Sequence, residues 1–158
     1  KILDSERVRF QHTSQDKGLL IYHLDIYGHQ VAIVTTQLEE GSRRFPLLRK
    51  QITQITKRLP KGPVILAGDF QIANYQHIEE PNGWIDTWYE AGKSDEKYTI
   101  DSKINTLAEV QDRPDRVWFL SGDILECKEH RLVGLPIPHQ DMIFASRHFG
   151  VLVNFTIN

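Results

Sequence analysis

Two polar stretches, each placed where an apolar run stops, are the parts of this chain whose residue types could do chemistry. The first is Pro63 to Gln71, PVILAGDFQ, in which Val64-Ile65-Leu66-Ala67 reads as a strand buried on both faces and Gly68 as the residue that ends it. Asp69 then stands at the rim of a sheet, where a carboxylate needs a cation or hydrogen-bond donors to offset its loss of water. Two readings follow: a candidate functional site, or a turn aspartate bonded to its own backbone. The second stretch, Thr36-Gln37-Leu38-Glu39-Glu40, follows Val31-Ala32-Ile33-Val34 and also falls at a strand end. Other reactive types show no comparable pattern. His12, His23, His29, His77, His130 and His139 lack metal-ligand spacing and read as surface or hydrogen-bonded histidines. Cys127 has no activating neighbours and reads as an inert buried thiol, and Trp84, Trp88 and Trp118 read as core rather than as base-stacking platforms.

The elements that must position the two stretches are legible from periodicity. Val8 and Phe10 mark a short strand, Leu19 to Ile26 alternates, Tyr27-Gly28-His29 closes a hairpin, and Gln30 to Thr36 returns as a central strand. A helix is predicted over Pro46 to Leu59, with Leu48, Ile52, Ile55 and Leu59 on one stripe. Its outer face carries Arg49, Lys50, Lys57 and Arg58 and reads as a solvated surface. Strand, helix and strand over Gln30 to Ala67 form a crossover unit, which brings both polar stretches to the C-terminal end of one sheet, where open α/β sheets carry their sites. Beyond Gln71 the expectation is a loop to Trp84, then a short helix over Ile85 to Ala91 with Asp86 near its start. Ser94 to Arg113 reads as irregular. Strands follow over Asp115 to Leu120 and Asp123 to Arg131, then a rigid loop at Pro136-Ile137-Pro138-His139 and a last strand over Gly150 to Ile157. Without repeats or linkers, residues 1–158 read as a single domain.

Bulk composition narrows the classes. With 19 basic and 21 acidic residues the net charge is −2, so any nucleic-acid contact must be a local patch. One cysteine excludes an internal disulfide framework and suits an intracellular setting, nucleus or cytoplasm. The chain has no signal-type start and no apolar run of about 18 residues, so no membrane contact is expected. The opening KILDSERVRF, without Met, suggests residues upstream of Lys1.

In combination these segments resemble the endonuclease/exonuclease/phosphatase superfamily of DNase-I-like proteins, and within it the tyrosyl-DNA phosphodiesterase 2 family. Thr36-Gln37-Leu38-Glu39 resembles the family's Thr/Ser-His-Leu-Glu strand end, Gln51 its mid-helix Gln, and Gly68-Asp69-Phe70-Gln71 its Gly-Asp-Thr/Phe-Asn. Asp115-Arg116-Val117-Trp118-Phe119 resembles Asp-Arg-Ile-Phe-Phe, and Ser146-Arg147-His148-Phe149-Gly150 the closing Ser-Asp-His-Trp-Gly. Pro81 to Trp88 and Tyr98 to Asp101 are also similar. The resemblance implies an α/β sandwich of two β-sheets flanked by helices, with the N-terminal part of the fold lying outside this chain. The implied chemistry is Mg²⁺-dependent cleavage of the bond between a tyrosine and a DNA 5′ phosphate.

Departures from that pattern fall on residues the chemistry needs. Gln37 stands where the family has His, Gln71 where it has Asn, and Arg147 where it has Asp, whereas Asp69, His148 and Asp115 survive as the implied catalytic positions. Gln37 removes an imidazole, Gln71 lengthens an amide by one methylene, and Arg147 inverts a charge. The family's first two motifs, an Asn and a metal-binding Glu, are expected upstream of Lys1. Arg147 is expected either to pair with Asp69 or to bind a phosphate together with Gln71. The resulting expectation is a catalytically degenerate module that binds a protein partner or a nucleic-acid end, with no cofactor and no metal ligand. A protein partner or second chain is expected to cover an exposed sheet face. The alternative is an active Mg²⁺-dependent phosphodiesterase with its remaining motifs upstream.

Overall fold

A computed structural model describes residues 1–40, 45–73, 78–134, 136 and 143–158. The chain opens with an antiparallel meander, β1 (Ile2–Arg9), β2 (Gly18–Ile26) and β3 (His29–Gln37). Between β2 and β3, Tyr27 and Gly28 both take positive φ, 54° and 88°, the pairing that a two-residue hairpin turn matching strand twist requires. Helix α1 (Phe45–Arg58) then crosses to β4 (Val64–Asp69), which lies parallel to β3. After it come β5 (Ile85–Asp86), the short helix α2 (Thr87–Ala91), a 3₁₀ turn at Ser94–Glu96, and the paired dipeptides β6 (Ile100–Asp101) and β7 (Gln111–Asp112). Strands β8 (Asp115–Leu120), β9 (Leu125–Val133) and β10 (Gly150–Ile157) complete the chain. The main sheet has the order β1-β2-β3-β4-β8-β5, and β9 with β10 forms a second sheet.

Strand alternation sorts the core into two layers. On one face Leu19, Ile21, Ala32, Val34, Val64, Leu66 and Trp118 meet Leu48, Ile52 and Ile55 of α1, as the helical stripe predicts. On the other, Val31 and Phe119 pack with Leu125 and Cys127 of β9 and with Val153 and Phe155 of β10. This is the expected stacking of two sheets. Leu20, Tyr22, Leu24 and Ile33 lie on the second face and stay half-buried.

Several expected boundaries move. The first strand is eight residues rather than a triplet at Val8–Phe10, because pairing to β2 holds exposed residues that show no apolar alternation. Ile85 and Asp86 are a strand and only Thr87–Ala91 is helical, with Asp86 as its N-cap accepting from the Trp88 amide. The strand expected over Asp123 to Arg131 runs Leu125–Val133, since Gly122 and Asp123 at φ 55° and 64° make the preceding turn. Gly68 does not end β4, which continues through Asp69. Its missing Cβ serves close approach instead, for a methyl there would stand 1.9 Å from the Thr36 carbonyl oxygen on β3. His77, His139 and most of the Pro136–His139 loop lie outside the described residues, as does the middle of the loop following Gln71.

Candidate active site

The two polar stretches meet. Register places Gln37 of β3 beside Asp69 of β4, and Asp69 beside Asp115 of β8. Because β8 is antiparallel to β4, its first residue stands at the last residue of β4, so three neighbouring strand ends align their side chains in one row on one face. Two of the three carry a carboxylate.

His148 closes the row from the loop before β10, its Nδ1 2.8 Å from Asp115 Oδ2. The same Asp115 oxygen accepts the Thr99 hydroxyl at 2.6 Å. That loop is held by residues to which the sequence reading gave no role. The Phe149 amide donates to the Thr99 carbonyl, and the fully buried Asn105 donates its side-chain amide to the Ser146 carbonyl at 2.8 Å. Three of these four contacts involve Thr99 or Asn105, small polar residues in irregular chain that carry no periodic signal.

Asp69 is engaged by its own neighbour. The Gln71 backbone amide donates to Oδ1 at 3.1 Å and the Gln71 side-chain amide to Oδ2, with Gln71 at φ 53°. Burial raises the Asp69 carboxyl above the usual carboxylate range and the Asp115 charge adds to the rise; the Gln71 donors and His148 offset only part of it. Asp69, Asp115 and His148 bring one ligand atom each to within 4.8 Å of one another. No metal ligand is expected from the sequence, yet a donor set is gathered here. Two adjacent carboxylates that repel each other fit a hard divalent cation, which takes one or two carboxylate oxygens and completes its shell with water. In that case Asp69 and Asp115 are the residues that would hold it.

At the other end of the row, Lys17 donates its ammonium to the Gln37 side-chain carbonyl. Lys17 follows β1 in a polar loop whose sequence marks no function for it. Glu39, two residues on, is fully buried and belongs to the scaffold. It accepts from the Thr13 hydroxyl at 2.5 Å, from the Ser14 and Gln15 amides at 2.6 and 3.1 Å, and from the Ser14 hydroxyl at 3.1 Å. Burial pushes its pKa up, but these donors outweigh burial and hold it below the ordinary carboxylate range. Gln51 of α1 fastens the same corner, accepting from the Glu39 amide and donating to the His12 carbonyl.

The expected ion pair between Arg147 and Asp69 is absent among the described residues. Arg147 is exposed, its backbone carbonyl accepts a long bond from Asn105, and both Asp69 oxygens already have Gln71 donors. An exposed guanidinium keeps its water and has no need of a buried partner. The other expected features resolve as structure. Burial raises the Cys127 thiol pKa. His130 is buried, which lowers its pKa, and bonds the Thr87 hydroxyl at 2.8 Å. Trp84 and Trp118 are core, and Trp88 stacks on Arg113.

No family model matches the chain. Among curated proteins, the tyrosyl-DNA phosphodiesterase 2 of Gallus gallus is 26% identical over 172 residues, which cover 99% of this chain and 46% of that protein. The chain thus spans about half the length of the curated relatives it matches. Among solved structures, D. rerio TDP2 complexed with single strand DNA product superposes with a TM-score of 0.78 at 26% identity, over 99% of this chain and 68% of that one. Truncated Caenorhabditis elegans TDP2 shares the fold, with a TM-score of 0.80 at 22% identity over 99% of this chain and 66% of that one. Fold, strand-end row and these likenesses together define the class: the chain has the DNase-I-like fold of the endonuclease/exonuclease/phosphatase superfamily. Within that class, the chain is similar to tyrosyl-DNA phosphodiesterase 2.

Proposed function

We propose that this chain is a tyrosyl-DNA-phosphodiesterase-2-like domain that holds a nucleic-acid phosphate end without cleaving it. One observation carries the reading: Gln71 closes on Asp69 through both its amides. A group that is to orient or deprotonate an attacking water needs a free lone pair aimed at that water. Here the amide at the family's water-orienting position turns its donors onto the carboxylate, one on each oxygen, instead of onto a water. Gln37 is likewise bonded to Lys17, so the position of the family's imidazole carries a neutral amide beside an ammonium. Lys17 at one end of the row and the exposed Arg147, next in sequence to His148, supply donors suited to a phosphate. The dyad of His148 and Asp115 remains formed.

The grouping of Asp69, Asp115 and His148 favours a second reading, a Mg²⁺-dependent phosphodiesterase acting on 5′-phosphotyrosyl or related bonds. A bound cation would polarise the phosphoryl oxygens and neutralise developing charge. His148, oriented by Asp115, would then face the transferring group, and Thr99 and Asn105 would keep its loop in place.

Half-buried Leu20, Tyr22, Leu24 and Ile33 support a protein partner or second copy over that face. The single cysteine supports the nucleus or cytoplasm as the setting.

Calorimetric titration with Mg²⁺ separates the two readings. It is run on the wild type and on the variant combining Gln37→His, Gln71→Asn and Arg147→Asp, beside binding of a 5′-phosphorylated oligonucleotide. The binding-module reading expects no saturable Mg²⁺ site in the wild type, a site in the triple variant, and oligonucleotide binding by the wild type. A saturable wild-type site together with release of tyrosine from a 5′-phosphotyrosyl oligonucleotide overturns it.

A further inference from the structure

Away from the strand-end row, a groove of about 730 Å³ runs between edge strand β1 and the outer face of α1. Five cations line it, Arg9 from β1 and Arg49, Lys50, Lys57 and Arg58 from α1, together with His12, and none of its lining residues is acidic. In a chain of net charge −2 this is a concentrated local excess. Two of the five have carboxylate partners outside the lining, Arg9 with Asp16 and Arg58 with Glu6. Arg49 lies over the Phe45 ring, and Lys50 and Lys57 have no ion pair among the described residues. On an isolated helix such a face reads as solvated surface. Here a second wall makes it concave, which focuses the field of the unpaired cations.

We propose that this groove binds the phosphodiester backbone of a single-stranded nucleic acid, as a contact separate from the strand-end row. Lys50 and Lys57 are seven residues apart, two helical turns or about 10 Å along the axis, so their ammonium groups follow one line down the helix. Arg49 stands beside the first of them and adds planar donors that suit a phosphate. A trough between one helix and one strand accommodates a single backbone, whereas a duplex would meet it only at the rim. The inference rests on the groove alone and stands whether or not the strand-end row binds a phosphate.

The test is fluorescence anisotropy with a labelled oligothymidine across a salt series, on the whole chain. Three free cations neutralising about three phosphates give a log–log salt slope of about −2 on a single strand, so a threefold rise in salt weakens binding about tenfold. Arg49→Glu with Lys50→Glu and Lys57→Glu is expected to lose at least about tenfold in affinity and most of that slope. Lys61→Glu, an exposed charge outside the groove lining, is expected to keep both. A milder variant, Lys50→Gln with Lys57→Gln, keeps the proposal testable if charge reversal perturbs folding, and is expected to lower the slope by about 1.4. Unchanged affinity in both groove variants overturns the proposal. So does a loss equal to that caused by Lys61→Glu.

Discussion

Gly68→Ala tests the geometry on which the strand-end row depends. A Cβ built at Gly68 stands 1.9 Å from the Thr36 carbonyl oxygen and 2.9 Å from its carbon. A close C–H···O approach needs about 3.3 Å, so β3 and β4 must part locally by about 1.4 Å. Both contacting atoms are backbone, in the middle of a sheet packed on both faces, so no side chain can swing aside. Forced backbone shifts of this kind cost about 1–3 kcal/mol, and a lost ladder bond adds about 1 kcal/mol. At about 2–4 °C per kcal/mol for a chain of this size, a 3 kcal/mol loss lowers Tm by about 6–12 °C. The natural control is Gly62→Ala, where an added Cβ meets nothing within 4 Å; it is expected to be neutral or stabilising by up to about 1 kcal/mol. Thermal unfolding of the two variants side by side, with amide exchange at residues 36 to 38, measures both effects. A Gly68→Ala protein within about 1 °C of wild type, with protection unchanged, would refute the close-approach account of this glycine.

Other expectations follow from particular side chains. Asp86 is fully enclosed, bonded to Arg113 at 2.9 Å, to Arg116 at 3.4 Å and to the Trp118 indole at 3.1 Å. Asp86→Ala strands two buried guanidinium groups and is expected to cost about 3–5 kcal/mol in denaturant unfolding. Glu39→Gln is expected to cost about 2 kcal/mol at neutral pH through the weakened bonds from Thr13, Ser14 and Gln15. Since folding depresses the Glu39 pKa, its contribution is present above the unfolded value and is lost as pH falls through the folded one, so the two melting curves should converge on acidification. Asp69 has the opposite sign. Its raised pKa means that stability is fullest below the unfolded value and declines as pH rises through the folded one, so Asp69→Asn should match or exceed the wild-type Tm at neutral pH while abolishing any Mg²⁺ titration signal.

The crossover from β3 through α1 to β4 was readable because each part is strongly patterned: continuous apolar strands, a stripe of period three and four, and Gly-Asp at a strand end. The same pattern correctly brought Gln37 and Asp69 to one edge, and the resemblance supplied Asp115 and His148. What stayed hidden depends on short polar side chains in irregular chain. Thr99 and Asn105 fix the His148 loop through bonds to backbone, and nothing in residue type says which carbonyl they will meet. Lys17 meets Gln37 only because β1 and β2 fold beside β3. The Arg147 and Asp69 pair failed for a local reason: Gln71 turns back at positive φ and satisfies the carboxylate before any distant cation is needed. Arg113 was not anticipated either, and its burial between Trp88, Tyr89 and Asp86 follows from packing around α2.

The row of Gln37, Asp69 and Asp115, closed by His148, also bears on the time course of folding. Asp69 and Gln71 are two residues apart, whereas His148 and Asp115 are separated by 33 and Lys17 and Gln37 by 20. The hold of Gln71 on Asp69 can therefore form as soon as the turn after β4 forms. The Lys17 contact waits only for the β2–β3 hairpin to zip, whereas the His148 contact must wait for β8 and β10 to dock, a slow step in sheets with distant pairings. A nascent chain would thus acquire the closed carboxylate before it acquires the histidine dyad, and the dyad would be a late marker that the domain has finished folding.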